Sequence, residues 1–203
     1  MREEDSDDLF ETKPLSWPDI PRLAFGFGGD CSLNACVRWM LDADGGSLEG
    51  YARGYREAAG AAYREAAGGH GGARPSPDTV VFAIAFLWRH HVELMLKEII
   101  WLGRSINGRP YGFPAHHDLG RLWSEAKPFV ESCGPAGAPA VANVEANIAE
   151  FVKIDPGADG FRYPRGRGLR DKSLPKAPTL VNLRLLHEAM EALANFLFGV
   201  SAV

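Results

Sequence analysis

Cysteine is scarce: Cys31, Cys36 and Cys133 are the three in 203 residues, and no two are spaced as Cys-x-x-Cys. That argues against a disulfide framework and for reduced, buried thiols in a cytoplasmic protein rather than a redox or metal role. Long hydrophobic runs are absent too. The longest, Val80 to Trp88, is under half of the ~20 residues a membrane helix needs, and Arg89, His90 and His91 follow it at once. The start of the chain, Met1 to Asp8, is acidic rather than basic and apolar, unlike a signal peptide. No membrane partner is expected. Basic residues are not in excess, with 22 Lys and Arg against 26 Asp and Glu, so total charge does not favour nucleic acid. Charge distribution matters more than its sum. The period-two alternation of a strand appears nowhere, which points to an all-α fold.

Known cofactor signatures are missing as well. There is no His-Glu-x-x-His and no Glu-x-x-His. The Gly-rich stretch Phe25-Gly-Phe-Gly-Gly-Asp30 has no strand before it and no Lys-Ser/Thr after it, so it is no phosphate loop. No cofactor and no metal site are expected. A metal site from His90, His91, His116 and His117 would require a bundle to bring two clusters together.

What is present is helical periodicity. Residues 1–30 carry acids, then Pro14, Pro18 and Pro21, and read as an irregular arm. Residues 31–75 hold two helices, about 31–43 and 47–67. The second contains a short duplication, Tyr55-Arg-Glu-Ala-Ala-Gly60 and Tyr63-Arg-Glu-Ala-Ala-Gly68, and sets Tyr51, Tyr55, Ala59, Ala62 and Ala66 on one face. The remainder, 76–203, reads as a helical bundle. Ser76-Pro77-Asp78 starts its central helix, and Val81, Ala85, Trp88, Val92, Met95, Ile99 and Leu102 step 4-3-4-3-4-3 along it. A second stripe, Val80, Ile84, Leu87, His91 and Leu94, implies several packing neighbours. Arg89, Glu93 and Lys97, with His90 and Arg104, read as a solvated ion-pair face opposite. Further helices are expected at about 117–130, 139–154 and 179–199, the whole forming an antiparallel bundle within one compact domain.

Leu87-Trp-Arg-His-His-Val-Glu-Leu-Met-Leu-Lys-Glu-Ile-Ile100, a Gly-containing loop and His117-Asp-Leu-Gly-Arg-Leu-Trp123 together resemble the core hairpin of the HEPN superfamily. Asp159-Gly-Phe-Arg-Tyr-Pro164 resembles a stretch of bacterial HEPN-like proteins. The likeness covers about 78–199. It implies an HEPN-like bundle extended by two N-terminal helices, and a role in bacterial defence or a toxin–antitoxin pair. It also raises metal-independent endoribonuclease activity, in which an Arg holds phosphate and a His moves protons, four to six residues apart in the last helix. Here Arg184 and His187 are separated by only two residues, and the pair Arg109 and His116 stands in a loop instead. The expectation is a non-catalytic or degenerate module that binds a nucleotide, RNA or a protein partner, with an active ribonuclease and a structural or homodimeric protein as alternatives.

The binding candidates follow from charge. Arg162, Arg165, Arg167, Arg170, Lys172 and Lys176 lie within fifteen residues, with Tyr163 as a stacking surface. The competing account is an internal clamp on the acidic arm. Arg89, His90, Lys97, His117 and Asp118 complete the candidate set. For His117-Asp118 the simpler reading is a helix cap, and for His91 a core histidine.

Overall fold

The computed structural model describes residue 35 and residues 48–68, 74–108, 112–133, 137–165 and 173–202. The chain divides into two units, Met1–Val37 and Arg38–Val203, and all described residues but Ala35 belong to the second. The expected arm over 1–30, all but one residue of the helix at 31–43, and Arg109, Arg167, Arg170 and Lys172 lie outside the described residues.

Among the described residues the second unit holds five helices: α1 (Glu49–Gly68), α2 (Pro77–Ile106), α3 (Leu119–Ser132), α4 (Ala138–Ile154) and α5 (Leu183–Ser201). No strand occurs among the described residues. The fold is an all-α bundle, and α2 is its axis. Pro77 opens α2 at the position where a missing N–H costs nothing, although the Ser76 side chain makes no cap bond. The 4-3 stripe then enters the core: Ala85, Trp88, Val92, Met95 and Ile99 are all buried. Residues 91–100 are buried without exception, charged ones included. α2 is long and apolar enough by length and composition to cross a bilayer, and 56% of its most apolar stretch is buried within the bundle.

The directions of the helices are set by named contacts. Leu48 N donates to Glu98 at 2.8 Å and Ala52 O bonds His91 at 2.8 Å, so α1 runs antiparallel to α2. Gly120 meets Val152, and Lys127 pairs with Glu145, so α3 and α4 are antiparallel. Gly60 meets His187 and Arg56 pairs with Glu191, which makes α5 antiparallel to α1. The segment after α2 turns back along it: Arg104 reaches Gly112 O at 3.2 Å, Trp101 packs on Phe113, and Arg89 holds His117 O at 2.9 Å. α3 therefore starts beside Glu93 and proceeds toward Gly103, in the same sense as α2. That return is what delivers His117 to the middle of α2.

Two expected registers shift. On α1 the buried line is Ala52, Ala59 and Gly60, with Tyr55 and Ala62 half-buried, and Tyr51 is exposed. A helix packed closely on another favours small residues at the contact, and the tyrosines flank it. α5 begins at Leu183 rather than at 179, because the Asn182 side chain accepts from the N–H groups of Arg184 and Leu185. Leu180 is left outside the helix and 86% exposed.

One glycine marks a tight approach between two helices. A Cβ on Gly103 of α2 would stand 2.3–2.8 Å from ring carbons of Phe129 on α3, well inside van der Waals contact. Gly103→Ala should therefore cost roughly 1–3 kcal/mol as overpacking, despite the better helix propensity of alanine. Thermal melts check this, and a variant as stable as the parent would mean that α3 packs elsewhere.

Candidate functional site

The expected solvated face of α2 is a buried ionic network. A Glu93–Lys97 spacing of four is the same on a surface as in a core, so periodicity alone could not tell them apart. In the structure Glu93 is 1% exposed, and Arg89 and Lys97 are also buried. The reason is coverage on that side by the returning segment before α3 and by the turn after α4. Charges taken out of water must pair among themselves. Glu93 takes up Lys97 Nζ at 3.0 Å and His117 Nδ1 at 2.7 Å on one oxygen, and Arg89 at 3.2 Å on the other. Arg89 donates also to His117 O, and its Nε stands 3.5 Å from Asp155 Oδ2. This last contact is an ion pair but not a hydrogen bond, since both atoms are buried with no hydrogen-bond partner. Asp155 carries no sequence signature: it follows α4, accepts from Gly160 N at 3.0 Å, and ties the next turn to Arg89.

His117 is the network's outlet to solvent. Its side chain is 63% exposed while Nδ1 is held by the buried carboxylate. Asp118 is spent locally as the N-cap of α3, where its side chain accepts from Arg121 N at 3.1 Å. Both residues do what the cap reading expects, and the bond to Glu93 fixes how His117 packs back.

His90 lies one helical step away, half-buried. Tyr55 meets it edge-on at 4.4 Å and Phe86 stacks on it at 5.9 Å. The turn after α4 adds Arg162, whose guanidinium lies 5.8 Å from the Phe86 ring centre and 5.5 Å from that of Tyr163. Tyr163 is 56% exposed. Arg162 also pairs with Asp159 and donates to Ala158 O, so the arginine is preset in its place. Of the candidates, the structure brings Arg89, Lys97 and His117 onto one carboxylate, and sets His90, Arg162 and Tyr163 along Phe86 beside them. Arg165 is exposed on the same turn. Gly160 packs against Leu174 and Asp155 within this loop, so its missing side chain serves the loop's own packing rather than a ligand's approach.

The last helix does not assemble Arg184 with His187. Arg184 is exposed, whereas the His187 ring turns inward, 4.2 Å from Tyr63 and 5.9 Å from Trp88. Nor do the histidines share a ligand. His91 donates Nδ1–H to Ala52 O, His116 reaches Glu125 at 3.3 Å, and no group of three or more metal-binding side chains occurs among the described residues. His91 is the core histidine expected, with only one of its two nitrogens satisfied.

Burial lowers the pKa of His90 below 6.5, outweighing the opposing pull of Glu93. Burial also lowers His91 below 6.5, against the bond to Ala52 O. For Glu93 burial pushes upward, but the hydrogen bonds from His117 and Lys97 more than offset it and hold the group below 4.5. All three shifts have one sign in stability. A group with a depressed folded pKa takes up its proton more readily when unfolded, so acid favours unfolding. The melting temperature should be level above pH 7, fall once pH drops below 6.5, and fall further below 4.5. Melts across that range check it, and a rise on going from pH 7 to 5 would contradict it.

No family model matches the chain, and neither does any curated protein or solved structure.

Proposed function

We propose that this chain is a non-catalytic, HEPN-like helical module that binds a phosphate-bearing ligand, RNA or a nucleotide, across the face of α2 bearing Phe86 and His90. The observation that carries the reading is Arg162, preset over Phe86 and the exposed ring of Tyr163. A planar guanidinium between aromatic faces suits a phosphate beside a stacked base. The exposed His117 adds a second polar contact on the same side. The separation of Arg184 from His187 speaks against ribonuclease chemistry in α5.

The test is fluorescence anisotropy with a short single-stranded oligouridylate. Arg162→Ala combined with Tyr163→Ala should weaken binding about fivefold or more, since one stacked base is worth ~1–3 kcal/mol. Both side chains are exposed, so the melting temperature should stay nearly level. Parent protein that binds no oligonucleotide, or a double variant that binds as the parent does, would defeat the reading. A second reading has its own observation. Leu180, Val181 and Leu185 are exposed together at the start of α5, with Leu185 at 64%, as a protein partner or a homodimer would require.

A further inference from the structure

An exposed histidine usually samples several rotamers, and His117 is instead pinned at two points. Arg89 holds its carbonyl oxygen at 2.9 Å, and Glu93 holds its ring Nδ1 at 2.7 Å. Both anchors are buried charges of α2. A carboxylate can only accept a hydrogen bond, and the hydrogen bonds and charge that Glu93 receives keep it ionised across the neutral range. In the neutral ring the proton therefore belongs on Nδ1, and in either form Nε2 is the free end of the ring, with no partner among the described residues.

We infer that His117 is a phosphate-contacting residue of this face and that Glu93 is its positioning residue, so that phosphate binding is coupled to uptake of one proton. The inference rests on the reading above. In the neutral ring Nε2 presents a lone pair, which repels a phosphate oxygen. In the charged ring Nε2–H becomes a charge-assisted donor while the bond from Nδ1 to Glu93 is kept. The groups that face His117 are Glu93, Lys97, Arg89 and His90 of α2, with Asp155 reached through Arg89, and His116 and Asp118 beside it in sequence. Within the buried network Arg89 and Lys97 balance Glu93 and Asp155. The proton added to His117 is therefore an unbalanced positive charge, placed where the ring meets solvent.

The test uses an oligouridylate without terminal phosphates, whose backbone charge does not change over the range. Its Kd is measured from pH 5.5 to 8 for the parent, His117→Gln and His116→Gln, each checked for folding by melting. The parent should bind about five- to tenfold more tightly at pH 5.5 than at 8, as one partly solvated charged hydrogen bond allows. His117→Gln should lose most of that gradient, and His116→Gln should keep it. Nitrogen-15 NMR of the parent at pH 8 should show the His117 proton on Nδ1, which needs no variant. The inference is overturned by a gradient that survives in His117→Gln, by one that vanishes in His116→Gln instead, or by a proton on Nε2. Binding with no pH dependence sinks this inference alone, whereas no binding at any pH sinks the proposed function with it.

Discussion

Glu93→Ala should lower the melting temperature by roughly 6–20 °C, the largest effect expected of any single charged residue here. The figure follows from a cost of roughly 3–5 kcal/mol for removing one partner of a buried ion pair, at roughly 2–4 °C per kcal/mol for a chain of this size. The cost is not the loss of attraction as such. Arg89 and Lys97 would remain buried, with Glu93 gone from between them, and Asp155 at 3.5 Å would be the counter-charge left to Arg89. His117 would lose its anchor on the ring nitrogen, and the segment that returns along α2 would be held mainly through its backbone. Melting by circular dichroism reads the result. A shift of a degree or two would mean that water reaches this network and that the cluster is a surface feature after all.

Trp88→Ala should cost roughly 3–5 kcal/mol, because a fully buried indole leaves a cavity that rigid helices close only in part. Trp88 is completely buried on the core stripe of α2, against His91 on its own helix and His187 of α5. The loss would loosen a three-helix junction, since Tyr63 of α1 stacks on the same His187. Chemical denaturation should show a lower midpoint with an unchanged slope. A midpoint within experimental error of the parent would place Trp88 outside the core and the register of α2 in error.

That register was legible because Val81 to Leu102 repeat at helical spacing over six steps, long enough for chance to be excluded. The same stripe width announced a helix with neighbours on several sides. Its consequence for charge was harder to see. His91, Glu93, Lys97 and Glu98 stand inside a run that is otherwise apolar, and a helix covered all round must satisfy such residues internally. The sequence carries the clue in that interruption, but Glu93 and Lys97 at i and i+4 look the same on a wet face. Asp118 was readable as a cap, since capping depends on two or three adjacent residues. Asp155 was not, because its partner Arg89 is distant in the chain and is brought near by the turn that ends α4. On α1 the tyrosines drew attention by size, while contact with α2 selected Ala52 and Ala59 by their smallness. Leu180 and Val181 extend the apolar pattern of α5 beyond its cap, and pattern alone could not say that Asn182 starts the helix.

The central claim is that phosphate-bearing ligands meet this chain on the α2 face between Phe86 and His117. Chemical-shift mapping of nitrogen-15-labelled protein with single-stranded oligouridylate tests it most directly. The account predicts saturable shifts at Phe86, His90, His117, Arg162 and Tyr163, weakening as salt is raised from 50 to 200 mM, as expected of phosphate contacts. Shifts confined to Leu180–Leu185 on α5, or none at an RNA concentration well above the micromolar range, would contradict it.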